Sequence, residues 1–180
     1  MALLSSPSRA WDDIVLHGSG EKYSIYNFVY PLIGLCSMTE FIGVFFGKDY
    51  SADLFHLALT RSCAVAVSLF GGFFLSTSIL EKLGRKFFAN QQTIPSMQIF
   101  VGHSMVVTLV LDIITGLFSI AVLHWILQLY TLFVVFEGAR RYLGIAEKQL
   151  TTYTLLATVV ILMSPAFIEY LFNTLSVVLN

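Results

Sequence analysis

The sequence predicts an all-α polytopic membrane protein, a bundle of five transmembrane helices preceded by a short amphipathic interfacial helix. Three observations predict it. First, the chain is 57% apolar and only 12% charged over 180 residues, against roughly 45–50% and 25% in soluble domains. So little charge leaves no surface to offer water, whereas lipid-facing positions favour apolar side chains. Second, four long apolar runs alternate with short polar segments. Third, lysine and arginine concentrate in alternate segments.

The elements follow in order. Residues 1–23 read as a cytoplasmic amphipathic segment and 24–180 as one five-helix domain. The opening stretch lacks an apolar core and a small-residue cleavage site, so it is not a secretory signal peptide. Ser6 suits a helix cap with Pro7 at the first position. Trp11, Ile14 and Val15 fall on one face, which is expected to lie on the cytoplasmic leaflet. Gly18, Ser19 and Gly20 then supply a joint.

The first and second spans are expected over about 24–47 and 54–80. The third run, Met97 to Phe136, is too long for one crossing of ~20 residues. Its turn signal is Thr115-Gly116, with Ser119 just after. Splitting there gives spans over about 97–114 and 117–138; a re-entrant half helix, with four crossings, is the alternative. The last span covers about 151–178, and Pro165 should kink it. Gly71-Gly72 offers a bend in the second.

Arg9, Lys22, Lys82, Arg85, Lys86, Arg140, Arg141 and Lys148 fall on one side, against Lys48 and Arg61 on the other. The asymmetry puts the N-terminus in the cytoplasm and the C-terminus outside. Most of Phe45, Phe46, Tyr50, Trp125, Tyr130, Tyr142 and Tyr153 lie near predicted helix ends, as an interfacial aromatic belt would, with Trp125 deeper than the rest.

Few residues of the chain point to chemistry. The chain has no phosphate-cradling Gly-rich loop, no Gly-x-Ser-x-Gly elbow and no His-Glu-x-x-His. Cys36 and Cys63 sit inside apolar runs and read as free thiols rather than a disulfide or a metal pair. No catalytic, cofactor-binding or metal-binding residue, no cofactor and no enzymatic activity is expected. A formal net charge of -1 points away from nucleic acid.

Two patterns exceed background. Glu40, Asp112, His124 and Glu169 lie within apolar runs and Arg61 near the start of one. Each is costly in lipid if unpaired, about 2.5–3.5 kcal/mol at a helix centre. Helix-rise arithmetic places all five in the outer half of the bilayer. They form a candidate intramembrane polar cluster, either structurally paired or lining a polar cavity. Glu40 and Arg61 flank one short connection and should meet across antiparallel helices. The second pattern is Thr60, Ala64, Ser68, Gly72 and Ser76, a small residue every fourth position, which suits close helix packing within the chain or a homodimer face.

The segment Leu4-Ser5-Ser6-Pro7-Ser8-Arg9-Ala10-Trp11-Asp12-Asp13-Ile14 resembles the opening of bacterial members of the Yip family. Those are five-helix membrane proteins named for relatives that bind Ypt/Rab GTPases. The stretch from Leu127 to Ala139, followed by Glu147-Lys148 and an apolar helix from Thr152 to Leu179, is similar to the family's Tyr-rich helix, short loop and last helix. Many relatives place a proline soon after helix four; this chain has Arg140-Arg141-Tyr142. The resemblance implies five helices, a cytoplasmic N-terminus, a C-terminus across the membrane and no reaction. The short tail leaves little surface for a GTPase, so that partner is not carried over.

The expectation is therefore a non-enzymatic protein of the bacterial inner membrane that organises or assists membrane proteins or lipids. Its expected partners are the lipid bilayer, other membrane proteins or a second copy. The alternative is a small transporter, or a subunit of one, using the outer-half charges.

Overall fold

A computed structural model describes residues 6–17, 25–46, 51–88, 92–118 and 121–178. Helix α1 spans Pro7–His17, and its first turn closes where the Ala10 amide donates to the Ser6 carbonyl at 3.1 Å. A π-helical turn, Ile25–Val29, leads into α2, Tyr30–Gly43, which carries Pro31 in its first turn and buries Ile33, Cys36 and Thr39.

Helix α3 runs unbroken over Ala52–Phe87, 36 residues, with the Ser51 hydroxyl capping the Leu54 amide. It passes its expected end at residue 80 because Glu81 pairs with Arg85 one turn on, and Arg85 and Lys86 suit the negative end of the helix dipole. The helix continues unbroken through Gly71-Gly72.

Helices α4, Ile94–Ser104, and α5, Val106–Phe118, meet at a 42° bend. At Met105 the amide still donates to the Val101 carbonyl at 2.9 Å. Helices α6, Ala121–Arg141, and α7, Glu147–Val178, are joined by a sharp return in which Gly144 takes φ +64°.

The expected turn at Thr115-Gly116 is helical. The Thr115 hydroxyl donates to the Leu111 carbonyl at 2.9 Å, which satisfies it inside the helix. Gly116 serves packing instead: a Cβ on Gly43 would collide with its carbonyl, and a Cβ on Gly116 would lie 3.2 Å from the Glu40 amide nitrogen. The absent side chains let the α2 and α5 backbones touch. The end of this segment, residues 119–120, and the joint at 18–20 lie outside the described residues.

Helix α3 packs along α7, α2 lies against α3 and α5, and α6 lies against α7, α5 and α1. The core between them contains Phe73, Phe100, Leu109, Tyr153 and Ile161. Tyr153, expected in the interfacial belt, is buried, its ring 5.0 Å from that of Phe88 and 6.3 Å from that of Phe100.

Among the described residues, α3 and the Glu147–Leu175 part of α7 are long and apolar enough to cross a membrane, and the bent α4–α5 pair makes a third if taken as one span. Helix α2, at 14 residues, is shorter than the ~20 a perpendicular crossing needs.

Candidate functional site

The best-defined polar constellation lies at the end of the bundle where α1, the C-termini of α3 and α6, and the N-terminus of α7 gather. Trp11 is fully buried, at 0% exposure, so this side chain of the α1 apolar face meets protein where lipid was expected. Its indole Nε1 donates to the Val134 carbonyl of α6 at 3.0 Å. Its ring lies 5.8 Å from that of Phe100, 6.0 Å from that of His103 and 5.7 Å from that of Tyr142. Gly138 makes this seat possible, since a Cβ there would come within 2.6 Å of the indole. Val15, one turn on from Trp11, and Leu16 are exposed.

Charge closes the seat. Arg141 Nη1 donates to both Asp12 carboxylate oxygens, at 2.8 and 2.6 Å, while its Nε donates to Glu137 at 2.6 Å. Glu137 is buried, and a buried carboxylate needs such a partner. One guanidinium therefore satisfies α6 internally and clamps α1 to it, using the fork geometry that lysine lacks. His103 shares a 2.8 Å hydrogen bond with the Ile99 carbonyl through Nδ1 and is stacked by Phe28 at 5.4 Å. Sequence reasoning missed this seat. Its one legible signal is a tryptophan on the apolar face of a short amphipathic helix.

The expected polar cluster lies toward the opposite end. Glu40 Oε1 stands 3.7 Å from Arg61 Nη1, with the arginine side chain 58% exposed. Asp112 is within electrostatic reach of both Glu169 and Glu40. The structure thus brings Glu40, Arg61, Asp112 and Glu169 to one region, while the side chain of His124 lies outside the described residues. Glu169 is exposed, so the cluster opens on the flank of the bundle. No grouping of three metal-ligating side chains occurs among the described residues.

The small-residue stripe faces α7. Ala64, Ser68, Gly72 and Ser76 are buried and Thr60 is exposed. A Cβ on Gly72 would lie 2.6 Å from Pro165, and the Ser76 hydroxyl donates to the Val160 carbonyl at 3.3 Å. Ser164 donates to the same carbonyl at 2.7 Å. Glycine on α3 therefore receives the proline ring that interrupts the hydrogen-bond ladder of α7.

Such an all-helical assembly, with apolar helices of membrane-crossing length and polar groups gathered at its ends, defines an α-helical integral membrane protein. The Yip1 domain model matches residues 1–168, nearly the whole chain, and the protein belongs to the Yip1 family. No curated protein and no solved structure matches it.

Proposed function

We propose that this chain is a non-enzymatic membrane component that crosses the bilayer five times, N-terminus cytoplasmic and C-terminus external, and organises or assists other membrane proteins or lipids of a bacterial inner membrane. The observation that carries it is how the polar groups of the α1 end are used. Trp11 is committed to the Val134 carbonyl, and Asp12 and Glu137 to Arg141, which is scaffolding rather than chemistry. The Yip1 membership and the eight-to-two distribution of lysine and arginine support the five crossings and their orientation. Helices α2 and α6 are then the two further crossings, α2 reaching the required length with the π-helical turn ahead of it. The flank position of Glu40, Arg61, Asp112 and Glu169 supports structural pairing near a headgroup region over transport.

The test is removal of the chain from its host, followed by quantitative comparison of the membrane proteome and lipid composition. A reproducible change in a defined set of membrane proteins or lipids, restored by the intact chain, is the expected result. An unchanged membrane, or a solute flux that disappears with the chain, would overturn the reading.

A further inference from the structure

The two longest helices show which way their outward faces look. On α3, Val67, Phe74, Ser78, Lys82 and Arg85 are exposed, and at 100° per residue they share one stripe. On α7, Lys148, Thr152, Leu155, Val159, Met163 and Tyr170 are likewise exposed and share one stripe. Exposed apolar residues along such stripes meet acyl chains. Both stripes turn basic, and both do so at the end of the bundle where α1 sits.

Distance along the helices fixes the depth. From Leu155 to Leu175 α7 spans roughly 30 Å, the thickness of a hydrocarbon core, with Glu169, Asn173 and Thr174 exposed toward its far end, and Lys148 lies roughly 10 Å beyond Leu155. On α3, Lys82 lies roughly 12 Å past Phe74. Both lysines therefore reach the headgroup layer of the same leaflet.

Three of the arginines at this end are occupied, while Arg9 on α1 is exposed. Arg85 pairs with Glu81, Arg140 with Glu147, and Arg141 with Asp12 and Glu137. Among the described residues, Lys82, Lys86 and Lys148 have no carboxylate within ion-pair distance. Lys86 lies 5.4 Å over the ring of Phe87, which is 61% exposed, a cation and an aromatic sharing one interfacial position.

We propose that this rim is a binding surface for anionic phospholipid headgroups, with Lys82, Lys86 and Lys148 taking the phosphates. Continuity with the acyl-facing stripes selects lipid over a soluble acidic partner: a lipid seated on either stripe already places its phosphate beside the lysine. The proposal rests on the membrane reading above and adds the class of lipid.

The experiment uses the full chain, delipidated in a zwitterionic detergent and titrated with phosphatidylglycerol or phosphatidylcholine of the same acyl chains, with bound lipid counted by native mass spectrometry. Wild type is expected to hold phosphatidylglycerol on the order of tenfold more tightly than phosphatidylcholine. K82Q/K86Q/K148Q should lose most of that preference and K82R/K86R/K148R should keep it. An absent preference in wild type, or one untouched in the glutamine variant, overturns the proposal. So does its equal loss in both variants, which would trace the preference to lysine packing rather than charge. The titration needs no partner protein and no host, so its failure is separable from failure of the organising role.

Discussion

Trp11 carries the most consequence of any single residue. Trp11→Phe removes the donor to Val134 while keeping most of the ring, and should cost about 1 kcal/mol. Trp11→Ala also empties the seat against Phe100, His103 and Tyr142 and should cost about 3–5 kcal/mol. Thermal unfolding of both variants in detergent checks the order; an alanine variant as stable as the phenylalanine one would contradict it. Arg141→Lys is the sharper probe of the clamp. A lysine cannot hold Glu137 and Asp12 in one fork, so α1 should become more open to limited proteolysis than in wild type. The partners of Trp11 were not legible in the sequence, because Trp11 and its acceptor are separated by 123 positions. Periodicity places an apolar face on a helix but does not say whether lipid or protein covers it.

Between elements, close approach decides most of the packing. Gly72→Leu puts a branched side chain where even a Cβ meets Pro165, and should destabilise the α3–α7 contact by about 1–3 kcal/mol or more; a melting temperature equal to wild type would show that the two helices yield there. Helices α6 and α7 hold a different feature. The hydroxyls of Thr131, Thr154 and Thr158 are buried without a hydrogen-bond partner. Valine at any one of them keeps the shape and removes an unsatisfied polar group, so Thr131→Val, Thr154→Val and Thr158→Val should each leave stability unchanged or raise it. Across α2 and α3, Glu40→Gln with Arg61→Gln forms a double-mutant cycle. The exposed arginine limits its coupling to about 0.2–1 kcal/mol, and strict additivity would mean the pair contributes nothing.

The element boundaries show what the sequence carried and what it did not. Helix formation, apolar character and family were readable from composition and pattern. The overrun of α3 was not, since Glu81 to Lys86 reads as a polar connector until Glu81 and Arg85 are seen to pair within the helix. Gly116 reads as a turn residue from its neighbours alone; only Gly43, on another helix, shows why a glycine is needed. Glu40, Arg61, Asp112 and Glu169 stood out because charge in an apolar run is costly wherever it points. The seat of Trp11 did not, because polar residues at a helix end carry no such cost.

For the whole molecule, charge is divided by end. The surplus lysines gather around α1, while Asp53, Asp112 and Glu169 belong to the opposite end. The division supports a single orientation in the membrane. A cysteine added after Asn180 should react with an impermeant reagent from outside intact cells, and one added near Ser6 only after the cells are opened. Reaction of the C-terminal cysteine only after opening would remove the fifth crossing.

The long reach from Trp11 to Val134 also sets an order of events during synthesis. A ribosome finishes α1 long before it begins α6, so the indole spends most of translation without its acceptor, its aromatic neighbours from α4 and Tyr142, or the guanidinium of Arg141. Its burial is among the last contacts the chain can make, and it reports that six of the seven described α-helices have been delivered. A nascent chain arrested before α6 would still display that tryptophan. Quality control that attends to an exposed aromatic at the membrane surface would have, in this one residue, a means of telling the unfinished protein from the finished one.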